Sequence, residues 1–202
     1  MRRLLIVLPV LLLLSFATPN DPLSKKDKKF AISYFKQTKK VLKDAVKNLS
    51  ETQLNWKPAD SVWSIAECIE HITLSEKNLF DYGSASLKEA ADPAKRKELK
   101  FASDQEVIKV MTDRSFRVKT REGFIPSGQF GSAKQSLDVF EERRDQLIDY
   151  IKKTEDDLRN HFVNAPFGLV DTYQFLILLS AHTARHTAQI EELKAHPEFP
   201  KG

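Results

Sequence analysis

Residues 171–193 read DTYQFLILLSAHTARHTAQIEEL, and this stretch decides the fold. Asp171 and Gln174 have the spacing of a helix-capping box, and the periodic residues after them predict a long helix to about Ala195, before Pro197. At about 100° of rotation per residue, one set of side chains falls within a single arc of this helix, on the face that a helical bundle buries. That arc consists of Phe175, Leu179, His182, His186, Ile190 and Leu193. The sequence therefore predicts a helix whose buried face carries two histidines.

Three more long amphipathic helices are predicted upstream of this one. Residues 24–49 form the first, and the second starts at Ser64, where Ser64 and Glu67 repeat the capping-box spacing. The third is predicted from Ala133 to about Asn160, with outward-facing Glu141, Arg144 and Lys152. Ser50 and Gln53 predict a short helical turn over 51–56, and no segment gives a convincing strand pattern.

A long connection separates the second and third long helices. Between residues 93 and 131 the helical period is broken by Gly123, Pro126, Gly128 and Gly131, although residues 104–111 are predicted to form a short helix after Ser103. Connections of this length are uncommon in compact domains and are often functional. Four long helices with such a link predict an all-α four-helix bundle with a crossover connection between helices two and three.

The N-terminus has the pattern of a secretory signal peptide. Arg2 and Arg3 precede an uncharged stretch that is interrupted by Pro9 and is too short for the roughly 20 residues that span a bilayer. We expect cleavage after Ala17, which leaves a single domain over 18–202 that is exported to the periplasm or the extracellular space. A membrane-anchored protein is expected only if the signal stays uncleaved.

Composition narrows the class of protein further. Removing residues 1–17 lowers the formal charge from +4 to +2, which is too balanced to indicate nucleic acid as a partner. Cys68 is the only cysteine, so a disulfide framework is excluded. Because no cysteine lies near the cleavage point, the sequence argues against a bacterial lipoprotein. The sequence does not decide between a monomer and a homodimer.

The histidines are the best candidates for chemistry. His182 and His186 are four residues apart, so their rings lie one above the other and can meet the same metal ion. His71 lies on the second long helix, on a polar facet with Ser64, Ser75, Asn78 and Tyr82, and is the natural third ligand. Three neutral imidazoles leave a coordination position open, as catalytic metal sites do.

A plainer interpretation is that each histidine only makes a hydrogen bond across the core. His161 and His196 are better placed to cap helix ends or to face solvent than to bind the ion. The roles of three neighbours stay open: Gln189 and Glu67 could orient a ligand imidazole, and Cys68 could be a ligand or a small core residue. The chain has no zincin motif, no glycine-rich phosphate loop and no nucleophile elbow.

Three motifs together resemble the DinB-like (YfiT/DinB) superfamily. They are Trp56-Lys-Pro, the run from Trp63-Ser through His71, and Ala181-His-Thr-Ala-Arg-His-Thr-Ala-Gln-Ile190. The resemblance covers residues 25–196 and implies a four-helix bundle with a divalent metal, usually zinc or nickel, on His71, His182 and His186.

The resemblance also implies a range of activities. Characterised relatives include S-transferases and isomerases that use small thiols, together with hydrolase-like proteins. Since small thiol cofactors are maintained in the reducing cytosol, the export signal argues against the usual thiol chemistry. We therefore expect a metal-dependent transferase or hydrolase acting on a small molecule. The alternatives are a non-enzymatic metal-binding protein of the cell envelope and a bundle that a metal only stabilises.

Overall fold

The computed structural model describes residues 22–115 and 119–201. Its helices and strands, in chain order, are α1 (Lys25–Val46), α2 (Glu51–Asn55), α3 (Ile65–Ser84), α4 (Asp104–Thr112), α5 (Ala133–Lys153), β1 (Phe162–Ala165), β2 (Gly168–Asp171) and α6 (Thr172–Lys194). Short 3₁₀ turns cover Ala85–Lys88 and Pro93–Glu98. The predicted signal peptide lies outside the described residues. Within the described ranges, no helix is both long and apolar enough to cross a membrane.

The predicted helix starts are confirmed. Ser50, Ser64 and Asp171 each cap the first turn that follows, and in each case the residue three positions on bonds back to the capping residue. These reciprocal bonds satisfy amide groups that the first turn of a helix otherwise leaves without partners. The short helix predicted over 104–111 is also present as α4, after its capping Ser103.

The four long helices form the predicted bundle, with α1 and α3 each packed against both α5 and α6. α1 runs parallel to α6, because Tyr173 bonds the Asp27 carbonyl near one end of the pair and Lys194 bonds the Ala45 carbonyl near the other. α1 and α3 therefore lie at opposite corners of the bundle, as do α5 and α6, whereas α3 and α5 are neighbours.

α3 and α5 also run parallel. Thr73 donates to the Ser136 carbonyl near the N-terminal end of α5, and the Phe80 and Tyr150 rings meet further along both helices. Two parallel neighbours cannot be joined by a tight turn, so the chain must return along the bundle between them. The long connection is thus a requirement of the topology.

α3 and α6 run antiparallel and approach closely. His71 meets the His182 end of the pair, while Gly83 lies against Phe175 at the other end. A Cβ atom on Gly83 would come within 2.7 Å of the Phe175 ring, so glycine permits this contact. The two helices that carry the predicted ligands are therefore held side by side.

Two parts of the sequence prediction are wrong around residue 160. α5 ends at Lys153 rather than near Asn160, because local bonds replace helical ones: the Thr154 hydroxyl bonds Asp156, and Asp157 accepts from the Asn160 amide. The chain then forms an antiparallel hairpin in which Phe162 pairs with Asp171 and Ala165 with Gly168. Its strands are four residues each, too short to show an alternating pattern.

The predicted outward position of Arg144 is also wrong, since its side chain is fully buried at the centre of the bundle. Its guanidinium forms a bidentate ion pair with Glu76 on α3, at 2.5 and 2.8 Å. The remaining bonds of the guanidinium reach the Phe35 carbonyl and the hydroxyls of Thr38, Ser180 and Thr183. We call Arg144, Glu76 and these three hydroxyl residues the arginine cluster. It joins all four long helices.

Candidate metal centre

α3 holds His71 in a fixed orientation. The residue is 4 % exposed, and its Nδ1 lies 2.6 Å from the backbone carbonyl oxygen of Phe124, in the long connection. A carbonyl only accepts hydrogen bonds, so Nδ1 must carry the ring's proton. In the neutral ring this leaves a lone pair on Nε2, the atom that faces α6.

α6 supplies the other two rings from successive turns. The Nδ1 of His186 donates to Oε1 of Gln189 at 2.9 Å, so its Nε2 also carries a lone pair. Gln189 therefore bonds the His186 ring and fixes its orientation. The i and i+4 spacing brings the Nε2 atoms of His182 and His186 within 3.2 Å of each other.

The three Nε2 atoms converge on one point between α3 and α6. The Nε2 of His71 lies 3.3 Å from the Nε2 of His182, and the three candidate ligand atoms all lie within 4.8 Å of one another. Two ligands of a tetrahedral ion at bond lengths of about 2.0 to 2.1 Å lie about 3.3 Å apart. The observed spacings therefore fit three imidazoles that share a single divalent ion.

The electrostatics of the cluster favour neutral rings. Burial lowers the pKa of His71, and burial followed by the charge of neighbouring His71 lowers the pKa of His186 to about 3. Burial and the other two histidines hold the pKa of His182 well below its usual range. Neutral imidazole is the form that binds a metal ion.

Hydrogen bonding among the rings cannot satisfy the cluster. Two of the three Nε2 atoms are acceptors only, so a proton on His182 Nε2 could serve one neighbour at a time. The remaining lone pairs would face each other in a poorly solvated place, at a cost in free energy. A cation at their centre would satisfy all three, and imidazole nitrogen suits zinc, nickel, copper and iron.

The long connection and Trp63 enclose the cluster. Glu70, next to His71, accepts backbone N–H bonds from residues 127, 128 and 129, and Asn78 bonds the Gly123 carbonyl. These bonds hold the Phe124 carbonyl over His71. The Trp63 ring lies 4.7 Å from that of His71 and 6.2 Å from that of His186, between ring centroids. Of the polar facet predicted on α3, the connection thus contacts His71 and Asn78.

Two arginines hold another part of the connection over α6. Arg114 forms a bidentate ion pair with Glu192, and Arg185 donates to the carbonyls of Met111 and Asp113. Arg185 thus links α6 to the end of α4. Burial and the charge of His71 lower the pKa of His186, and the hydrogen bond with Gln189 raises it. Both guanidinium groups lower this pKa by smaller amounts.

The other residues considered from sequence lie outside the cluster. Glu67 bonds the Ser64 amide and Lys57, so it caps α3 rather than orienting a ligand. Cys68 is buried in the core, where burial raises the pKa of its thiol to about 12. His161 bonds the carbonyls of Asp157 and Glu89, and His196 lies against the ring of Trp56.

Sequence reasoning missed two contributors to the site. The Phe124 carbonyl is a backbone group, which any residue provides, so no residue type indicates it. Glu70 carries a signal in principle, since an acidic residue beside a buried helix position needs partners, but the three backbone amides that it accepts come from a distant loop.

Comparison with known proteins places the chain in a family. A family model described as the DinB superfamily matches residues 34–190. The uncharacterized protein YuaE of Bacillus subtilis (strain 168) is 27 % identical over 166 residues, which cover 81 % of this chain and 96 % of YuaE. A solved structure, YfiT from Bacillus subtilis, is described as a probable metal-dependent hydrolase with an unusual four-helix bundle topology. It matches with a TM-score of 0.56 and 18 % identity, over 88 % of this chain and 91 % of that one, and so supports the fold. The chain belongs to the DinB superfamily.

Proposed function

We propose that this protein binds one divalent metal ion through His71, His182 and His186 and uses it as a metal-dependent hydrolase or transferase acting on a small molecule. The observation that carries the proposal is the convergence of three Nε2 atoms, with His71 and His186 held in the metal-binding tautomer by Phe124 and Gln189. Zinc or nickel is the proposed ion, because the family resemblance implies one of these two and both accept imidazole ligands.

When bound, the ion would supply Lewis-acid chemistry. The chain's own residues fix what surrounds it. The Phe124 carbonyl and Gln189 hold two rings in place, and Trp63 covers one side of the cluster. Three protein ligands leave a position for an external group, as in catalytic zinc sites.

The nucleophile must come from solvent or from the substrate rather than from a protein thiol. Cys68 is the only cysteine, and burial raises the pKa of its thiol to about 12, so it carries no thiolate near neutral pH. Water as nucleophile makes the protein a hydrolase, whereas a thiol substrate makes it a transferase. The description of YfiT as a probable metal-dependent hydrolase favours the first.

Elemental analysis joined to an activity screen tests this proposal. Protein stripped with a chelator and reloaded with zinc or nickel should retain about one ion per chain. His182→Ala should retain none, and the matched control His196→Ala should retain the wild-type amount, because His196 lies outside the cluster. Hydrolase and thiol-transferase activities found in the loaded protein should disappear on chelation and in His71→Ala.

The same experiment separates the alternatives. Stoichiometric binding that raises stability without turnover would favour a metal-stabilised bundle, since the ion would link α3 to α6. Fast, reversible uptake without turnover would favour a metal-binding protein of the cell envelope. No uptake by the wild-type chain would contradict all three forms of the proposal.

We also propose that the protein is exported and that its mature chain starts at residue 18. Residues 1–17 support this proposal, because a positively charged start is followed by an apolar stretch and then by small residues before the cleavage point. N-terminal sequencing of protein recovered from the expressing cells should then begin at Thr18. An intact Met1 would contradict cleavage.

A further inference from the structure

The hydroxyl of Ser75 stands out in the core of the bundle. Ser75 is 2 % exposed, and among the described residues its Oγ is the buried side-chain polar atom that has no hydrogen-bond partner. Leaving a buried donor without a partner has a cost in folding free energy, and each such group in a native protein calls for an explanation. A serine that served packing alone would be better replaced by alanine.

Comparable hydroxyls nearby are all satisfied. Thr73, two residues earlier on α3, donates to the carbonyls of Ile69 and Ser136. Ser180 on α6 is fully buried too, and it bonds Thr38 and Arg144. Ser75 does not make the corresponding bond to the carbonyl four residues before it, which belongs to His71. The missing partner is therefore specific to this position.

Helix geometry puts Ser75 on the His71 face of α3 rather than on the face of the arginine cluster. It follows His71 by one helical turn and is displaced by about 40° around the axis, so both side chains are on the same face of α3. Glu76, the next residue, is about 100° further round and bonds Arg144 instead. α3 and α6 run antiparallel from the His71–His182 contact to the Gly83–Phe175 contact, and Ser75 lies between these two points along α3.

We propose that the Ser75 hydroxyl is a ligand-binding group of the three-histidine site, which donates a hydrogen bond to the small molecule that shares the metal ion with the histidines. This inference rests on the proposed function. It assigns the site a ligand with an acceptor atom, such as an oxygen, nitrogen or sulfur atom, next to the atom that binds the ion. It also explains why the hydroxyl has no partner within the described chain.

Azide binding to the cobalt-loaded protein tests the inference, because azide is a small anion with acceptor nitrogens and cobalt(II) gives visible absorption bands. Ser75→Ala should load cobalt with the wild-type stoichiometry but bind azide about tenfold more weakly, the loss expected for one hydrogen bond to a charged group. In the metal-free protein the same substitution should leave the melting temperature equal or higher, because it removes an unpartnered hydroxyl.

Ser180→Ala is the matched control. It removes an equally buried serine hydroxyl that has partners in the chain, so it should lower the melting temperature of the metal-free protein and leave azide affinity unchanged. A structural role for Ser75 would give this same pattern in Ser75→Ala.

Three results would overturn the inference. Azide affinity in Ser75→Ala equal to that of the wild type removes the ligand contact while leaving the proposed function in place. A lower melting temperature of metal-free Ser75→Ala shows that the hydroxyl has a partner in the protein. Failure of the wild-type protein to load cobalt overturns the proposed function, and this inference falls with it.

Discussion

The bundle contains two polar clusters that both include side chains from α3 and α6, and they differ in how they are completed. In the arginine cluster all three guanidinium nitrogens donate, to a carboxylate, a carbonyl and three hydroxyls. In the histidine cluster the three Nε2 atoms face one another at 3.2 and 3.3 Å and only one proton could lie between a given pair. The first cluster is complete within the chain, whereas the second is left incomplete by the chain's own groups and has the spacing of a site that could hold a metal ion.

Neighbouring residues take part in different clusters, which shows how closely the two are interleaved. On α6, Thr183 bonds Arg144 while His182 faces His71, and on α3, Glu76 bonds Arg144 while Ser75 lies on the histidine face. Since the arginine cluster joins all four long helices, it also sets the alignment of α3 against α6. We infer that a complete polar cluster serves the fold and that an incomplete one beside it serves binding.

The largest effect is expected at the arginine cluster. Arg144→Ala should lower the free energy of unfolding by about 3–5 kcal/mol, because it leaves the buried Glu76 carboxylate without its counter-charge. Urea denaturation measures this. Arg143→Ala is the control: within the described ranges Arg143 bonds the Thr73 carbonyl and lies over the face of Phe130, so its loss should be about 1 kcal/mol. Equal losses in both variants would remove the distinction between a central cluster and an ordinary contact.

The next effect distinguishes the two clusters by their response to metal. Zinc at about one hundred times its dissociation constant should raise the free energy of unfolding of the wild type by about 2.7 kcal/mol. His182→Ala should gain nothing, because two imidazoles seldom suffice to hold the ion. Denaturation with and without zinc gives both values. Comparable stabilisation of the two proteins would place the ion elsewhere.

A smaller effect is expected from the residue that orients His186. Gln189→Ala should weaken zinc binding by about 10- to 100-fold, because the ring loses the acceptor that fixes its tautomer. Calorimetric titration gives the dissociation constants. Gln146→Ala is the control, since Gln146 is exposed on α5 and bonds Glu142. Wild-type affinity in Gln189→Ala would show that the bond does not support metal binding.

The smallest effect concerns Cys68, which lies three residues before His71 but packs in the core. Cys68→Ala should cost about 1 kcal/mol of stability and change zinc affinity by less than about twofold. A thiol reagent should modify native Cys68 slowly and unfolded Cys68 rapidly, because burial raises the pKa of the thiol to about 12. Fast modification of the native protein, or a large loss of zinc affinity, would make Cys68 part of the site.

Local patterns predicted the fold well where a side chain and a nearby amide decide the outcome. The caps at Ser64 and Asp171 are of this kind, and they fix where the two histidine-bearing helices begin. The hairpin and the early end of α5 were missed because they depend on bonds within four-residue segments, where periodicity carries no information. The parallel packing of α3 and α5 was implied only by the length of the connection.

The interior was predictable for histidine but not for arginine. Periodicity placed His182 and His186 on the buried face and His71 beside the core, which are the positions that the structure brings together. Arg144 has the same kind of signal, since it lies in register with Phe140, Leu147 and Ile151, all of them buried. Because charged side chains are rarely buried without a partner, the sequence predicts that Arg144 faces outward. It does not show that Glu76 lies opposite and supplies the counter-charge.

The central claim is that the histidine cluster is completed by a metal ion, and anomalous diffraction at the zinc absorption edge tests it most directly. Crystals of the zinc-loaded protein should give one strong peak per chain, within about 2.0 to 2.1 Å of the Nε2 atoms of His71, His182 and His186. A peak at any other side chains, or three histidines joined only by hydrogen bonds under saturating zinc, would contradict the claim.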